Sequence, residues 1–221
     1  SKSMPKQPYF NLDREKQEEI RKVCLEEFVE HGFRNASTNR IVSRLSIAKG
    51  SLFYYFDGKA DIYRYLVEDA HRRFGDGMKR LLRDWPSDIL ERIREMTRTG
   101  IALFRKMPLE YRLLMGILDE ETEALRDGFL QKLGESSLSM FQDLFSGIDT
   151  ANFRYGRDET VQLVGWVYMG IKLELSQLME VKDDIDALER HFMARLEDAF
   201  TILARGIYTG DQEVERNDKG E

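Results

Sequence analysis

The chain has 221 residues, 34 of them Lys or Arg and 40 Asp or Glu, for a formal net charge of -6, with 42% hydrophobic and 33% charged residues. At about 100 to 200 residues per domain this length can bury a sizeable core, which excludes a mini-protein that needs staples. Its one cysteine, Cys24, excludes an internal disulfide and a thiolate metal cage, and no apolar run approaches the roughly 18 residues of a membrane span, so a cytoplasmic protein with no membrane partner is expected.

Hydrophobic periodicity is helical throughout. Only four prolines occur, and no alternating strand run flanks an Asn-Gly or Asp-Gly turn, which predicts an all-α chain. Ser1 to Ser3, ahead of Met4, are read as a tag remnant. A first helix is expected from about Asp13 to His31, with Ile20, Val23, Cys24 and Phe28 on one stripe and Gly32 as its stop. Two short helices follow, Thr38 to Leu45 and Lys49 to Tyr55, separated by Ser46, Ile47 and Ala48. Such short helices are marginal alone, so Ile41, Leu45, Ile47, Leu52 and Phe56 must hold them by packing. After a break at Asp57 and Gly58, a fourth helix runs from about Lys59 to Leu82 and carries Ile62, Leu66, Val67, Ala70 and Phe74.

Beyond Trp85 and Pro86 the pattern becomes a helical bundle. Ser87 is expected to cap a helix through Phe104, followed by helices over Pro108 to Gly116, Asp119 to Phe145, Arg157 to Glu180 and Asp183 to Tyr208, with Gly147 to Arg157 as the clearest loop. The acidic tail from Thr209 to Glu221 is expected to be disordered. The expected organisation is thus an arm and head over residues 1–58, a ligand-binding and dimerisation domain over 59–208, and a tail over 209–221.

The net charge conceals an asymmetry. Residues 1–59 hold 11 basic and 8 acidic side chains, and within 34–59 Arg34, Arg40, Arg44, Lys49 and Lys59 face only Asp57. Local potential rather than total charge attracts phosphates, so an acidic protein can still bind a polyanion. Two short helices joined by a three-residue turn have helix-turn-helix geometry, which lays the second helix in a major groove about 12 Å wide. With Leu52 and Phe56 facing the core, Lys49, Gly50, Phe53 and Tyr54 turn outward, and Gly50 permits close approach to a duplex.

The run IVSRLSIAKGSLFYYF over residues 41–56, followed by a break and Lys59, resembles the DNA-binding head of TetR/AcrR-type transcriptional regulators, over roughly residues 14–62. The resemblance implies nine or so helices, a homodimer through the last two, and an effector pocket in the C-terminal body. Position by position, it implies that Ser37 and Thr38 grip phosphate and that Asn39 and Arg40 open the supporting helix. It further implies that Lys49, Gly50 and Ser51 start the recognition helix, that Phe53, Tyr54 and Tyr55 are its DNA-facing aromatics, and that Lys59 neutralises phosphate. Two positions depart from the family pattern. Ala48 stands where a hydroxyl is frequent, losing a cap, and Phe53 stands where Tyr is common, exchanging a phenol hydrogen bond for apolar contact such as a thymine methyl.

In the body, Phe104, Met107, Tyr111, Met115, Phe129, Phe141, Trp166, Tyr168 and Met169 are expected to line a pocket, an adaptable wall suited to a hydrophobic or amphipathic small molecule. Residues 161–179 are apolar nearly all round, which predicts burial on more than one side. Val164, Val167, Ile171 and Leu175, with Leu188, Phe192, Leu196, Phe200 and Leu203 on the next helix, are expected to form a self-complementary four-helix dimer interface. His31, His71 and His191 lie far apart, the acidic runs Asp119 to Glu123 and Asp183 to Asp186 suit helix starts, and no nucleophile elbow, P-loop or dinucleotide fingerprint occurs. No enzyme activity, cofactor or metal is therefore expected. The function expected is a ligand-responsive repressor that binds a near-palindromic operator as a homodimer and is released by a small effector. The alternative, which Ala48 and Phe53 leave open, is a helical small-molecule binding protein acting through protein contacts without operator-specific DNA binding.

Overall fold

The computed structural model describes residues 5–81, 85–117, 128–179 and 185–209, with backbone only at 130, 136–142, 175–179 and 185. The described residues form ten helices: α1 (Gln7–Phe10), α2 (Arg14–Asn35), α3 (Thr38–Leu45), α4 (Lys49–Tyr55), α5 (Lys59–Leu81), α6 (Ile89–Lys106), α7 (Pro108–Gly116), α8 (Phe129–Leu144), α9 (Arg157–Met179) and α10 (Ile185–Ile207). Among them there is no strand, only an isolated antiparallel bridge between Phe153 and Tyr208 that ties the loop before α9 to the end of α10. No described helix is long and apolar enough to cross a membrane.

The all-α expectation holds, and three local readings change. The four-residue α1 has no periodicity to betray it; it exists because Tyr9 is buried and the Lys6 N–H donates to the Tyr55 carbonyl at 2.9 Å. Gly32 does not stop α2 but kinks it at φ 66°, a left-handed conformation that costs glycine little, and the helix resumes to Asn35. Asp88, not Ser87, caps α6, its carboxylate accepting from the Leu90 and Glu91 N–H groups at 2.9 Å each. Of the other sequence expectations, Leu82, Asp119 to Glu123, Glu180, Asp183, Asp184 and the tail from residue 210 lie outside the described residues.

The chain divides into two compact units. The first comprises the described residues of Ser1–Arg80 and Lys106–Met140, and the second those of Leu81–Arg105 and Phe141–Glu221. In the first, Ile20, Cys24 and Phe28 of α2, Ile41 and Leu45 of α3, Leu52 of α4 and Ile62, Tyr63, Leu66 and Val67 of α5 share one core with Leu113 of α7. The two short helices of the head are thus held by the burial that their length demands. The same unit encloses an ion cluster: Arg21 of α2 meets Glu110 of α7 at 3.0 Å and Asp69 of α5 at 3.6 Å, and Asp69 is also held by Arg72 and Arg73. Burial works against the Arg21 charge, but pairing with Glu18, Glu110 and Asp69 outweighs it and raises the guanidinium above its ordinary value.

In the second unit α9 and α10 lie in contact, with Val164 and Ile171 of α9 and Leu188, Phe192, Leu196 and Phe200 of α10 buried. The buried Arg92 guanidinium of α6 donates to the Pro86 and Leu144 carbonyls at 2.7 and 3.1 Å, which fixes the start of α6 to the end of α8. Arg94 forks onto Glu197 of α10 with two bonds of 2.7 Å.

Candidate nucleic-acid interface

The head is assembled around one buried carboxylate. Glu27 of α2, 1% exposed, accepts the Ser37 N–H at 2.7 Å and the Arg40 guanidinium at 2.6 and 2.9 Å. Arg40 also donates to the Asn35 carbonyl at 2.7 Å, and the Ser37 hydroxyl caps α3 by accepting the Arg40 N–H at 3.4 Å. Burial works to raise the Glu27 carboxyl, but Arg40 and the Ser37 N–H outweigh it and hold it below the usual carboxylate range. A depressed native value means that the stability Glu27 contributes is present above its unfolded pKa and lost as pH falls through the native one. The melting-temperature gap between the wild type and Glu27→Gln is therefore expected to be steady near neutrality and to shrink below about pH 4.5; a gap independent of pH would contradict the role of this charge.

The turn between α3 and α4 reverses at Ser46, whose φ of 53° places a non-glycine residue in the left-handed region, with the Ile47 N–H donating to the Val42 carbonyl at 3.1 Å. Beyond it α4 starts at Ala48 without a side-chain cap, as the missing hydroxyl implied. Leu52 and Phe56 are buried and anchor the helix, so Lys49, Gly50, Phe53 and Tyr54 stand at the surface, Tyr54 at 63% exposure. A Cβ at Gly50 would meet nothing within 4 Å, so the fold itself does not demand a glycine there. Ser51 is half-buried, and Tyr55 is half-buried against the Tyr9 ring, 6.2 Å between centroids. Thr38 is half-buried at the first turn of α3, and Asn39 is exposed.

The cations are used less freely than the charge count suggests. Arg40 is turned back on Glu27, Arg44 pairs with Glu26, and the Lys59 ammonium donates to the Arg34 and Ala36 carbonyls at 3.0 and 3.2 Å while lying 4.7 Å over the Phe33 ring. Arg40 and Lys59 thus hold α2, α3 and α5 together. Arg34 and Lys49 are exposed with no acid partner among the described residues, and Lys49 lies 6.0 Å over Phe53. A residue the sequence reading missed joins them: Lys6 donates to the Phe53 carbonyl at 2.9 Å and pairs with Asp57 at 2.6 Å, clasping α4 from the arm. The signal was Tyr9 and Phe10, an aromatic pair in an otherwise polar arm. Burial pushes the Cys24 thiol up to about 12, leaving a core residue that stays protonated near neutrality.

The residues nominated for the body fall in both units. Tyr111 and Phe129 are buried and Met107 and Met115 half-buried in the first unit, where Tyr111 packs on Phe74 with 6.0 Å between rings. Phe104 is buried and Tyr168 half-buried in the second. Trp166 and Met169 stand exposed, at 66% and 54%. Val164, Ile171, Leu188, Phe192, Leu196 and Phe200, nominated for the dimer interface, are buried within the single chain, while Val167 and Leu203 are half-buried. The side chains of Phe141 and Leu175 lie outside the described residues. The outward face of α9 instead carries Leu163, Trp166, Met169 and Leu173, spaced three or four residues apart, and Ile202 is the most exposed large apolar side chain of α10.

Residues 20–66 match the family model for the N-terminal domain of bacterial regulatory proteins of the tetR family. The fold resembles a TetR family transcriptional regulator from Chloroflexus aurantiacus, with a TM-score of 0.65 and 24% identity over 94% of this chain and 100% of that one. It also resembles the regulator FadR from Bacillus subtilis solved with stearoyl-CoA, with a TM-score of 0.62 and 16% identity over 81% and 96% of the two chains. A third similar structure is AibR in complex with isovaleryl coenzyme A and operator DNA, at TM-score 0.60 and 13% identity over 80% and 95%. No curated protein matches the chain by sequence. The chain thus has the TetR-like fold, with its helix-turn-helix head at the amino end.

Proposed function

We propose that this chain, with a tetR-family head on a TetR-like fold, is a cytoplasmic, ligand-responsive transcriptional repressor that binds a near-palindromic operator as a homodimer. The observation that carries the reading is α4: a seven-residue helix anchored by buried Leu52 and Phe56 that leaves Lys49, Gly50, Phe53 and Tyr54 exposed. Groove insertion asks for that division between a rigid support and outward side chains. Residues 1–58 are assigned as arm and reading head and 59–208 as the part that dimerises and takes the effector. The regulators solved with stearoyl-CoA and isovaleryl coenzyme A have the same fold, which favours an amphipathic small molecule as effector. The outward stripe of α9, Leu163, Trp166, Met169 and Leu173, is assigned as the core of the dimer interface, because the other apolar face is already filled within one chain.

Selection from random duplex DNA tests the reading, and the expected product is a site with two inverted half-sites. Against that site Tyr54→Ala and Lys49→Ala are each expected to lose about 1 to 3 kcal/mol of binding, with Lys49→Ala also lowering the salt slope by about 1. Melting temperatures should stay put, since both side chains are exposed. Enrichment of no sequence would transfer support to a small-molecule binding protein acting through protein contacts, a reading that the internal engagement of Arg40 and Lys59 favours.

A further inference from the structure

The helix that presents Lys49, Gly50, Phe53 and Tyr54 is poorly closed by its own sequence. α4 has seven residues, no side-chain cap at Ala48 and no basic residue in its last turn, and an acid, Asp57, follows directly after Phe56. The last carbonyls of a helix lack partners within it, and a carboxylate beside them opposes the helix dipole. Both needs are met from outside, by one residue of the arm. The Lys6 ammonium donates to the Phe53 carbonyl at 2.9 Å and pairs with Asp57 at 2.6 Å, and the Lys6 N–H donates to the Tyr55 carbonyl at 2.9 Å. Lys6 is itself fixed in place. Three residues on, Tyr9 is buried against the rings of Tyr55, Phe56 and Tyr65, and its hydroxyl donates to the Gln17 carbonyl of α2 at 3.0 Å and lies 3.1 Å from the Tyr65 hydroxyl of α5.

We propose that Lys6 is a positioning residue for α4: it ties the carboxyl end of that helix to a support resting on α2 and α5, and so fixes the angle at which Phe53 and Tyr54 are offered to base edges. The bond falls on the backbone of Phe53, one of the outward residues, so a shift there moves that ring directly. The ammonium is turned onto α4 and the acid beyond it, which makes Lys6 a brace rather than a phosphate contact. This inference rests on the reading of α4 as the helix that enters the groove. It adds to that reading a residue outside the matched span 20–66 on which operator affinity depends.

The test compares Lys6→Met and Lys6→Arg with the wild-type full chain, by polarisation titration of the selected duplex and a scrambled one over a range of salt, and by amide hydrogen exchange without DNA. Lys6→Met keeps the backbone bond to Tyr55 and leaves Tyr9 in place, so it removes the ammonium alone. It is expected to lose about ten-fold in affinity for the selected site, as a charge-assisted hydrogen bond provides, with the scrambled duplex and the salt slope unchanged and Lys6→Arg near the wild type. In the free protein the α4 amides of Lys6→Met should exchange about ten-fold faster, while those of α2 and α5 keep their wild-type rates. A lysine on a phosphate would instead weaken both duplexes alike and lower the salt slope by about 1, and one that only stabilises the head would hasten exchange in α2 and α5 as well. Either result overturns the proposal, as does unchanged α4 exchange or unchanged affinity for the selected site. If the wild type selects no site, faster exchange confined to α4 still supports the brace, and the failure falls on the DNA-binding reading alone.

Discussion

Trp166→Glu is expected to turn a dimer into a monomer in sedimentation velocity and to lower affinity for a two-half-site operator by about 100-fold or more. Trp166 is 66% exposed in the single chain, on the stripe with Leu163, Met169 and Leu173. Aromatic anchors at the centre of an interface contribute about 2 kcal/mol or more, and an isologous two-fold contact removes the anchor twice while placing two new carboxylates in an apolar seam. Losing the second head forfeits the intramolecular binding step, for which linked sites gain roughly 10² to 10⁴. Because Trp166 contributes little to its own chain's core, helicity and melting of the monomer should change little. A Trp166→Glu chain that remains dimeric would remove this face of α9 from the interface.

Arg21→Leu should cost about 3 to 5 kcal/mol of stability, which at this chain length lowers the melting temperature by roughly 6 to 20 °C. The arginine is buried, and its loss leaves Glu110 of α7 without its cation, although Asp69 keeps Arg72 and Arg73. Adding Glu110→Leu should recover part of the loss, because no orphaned carboxylate then remains. Additive losses in the double variant would mean that the pair is not coupled. The cluster joins the first long helix of the head to α5 and α7.

The head was legible because its signals are local. The spacing of Ile41, Leu45, Leu52 and Phe56, with three residues between the helices, specifies which side chains are buried and therefore which four are not. Its internal ties were not legible: Glu27 and Arg40 are 13 residues apart, and Lys59 reaches back 25 residues to the Arg34 carbonyl, so their pairing depends on how α2 kinks at Gly32 and on where α5 begins. A basic residue in a basic segment looks free until its acid is placed. The body was legible as helices and not as faces. With apolar residues nearly all round α9, periodicity gives no preferred direction, and each residue advances about 100° around the axis, so neighbouring positions exchange roles. Val164 faces inward while Leu163 and Trp166 face outward, and only the packing of α10 decides between them.

The central claim, that two copies of α4 read DNA side by side, is tested most directly by a hydroxyl-radical footprint of the full chain on its selected site. Two protected patches related by the two-fold of the sequence are expected, their centres about 34 Å or a multiple apart along the duplex. A single patch, or uniform protection that does not move with the sequence, would contradict it.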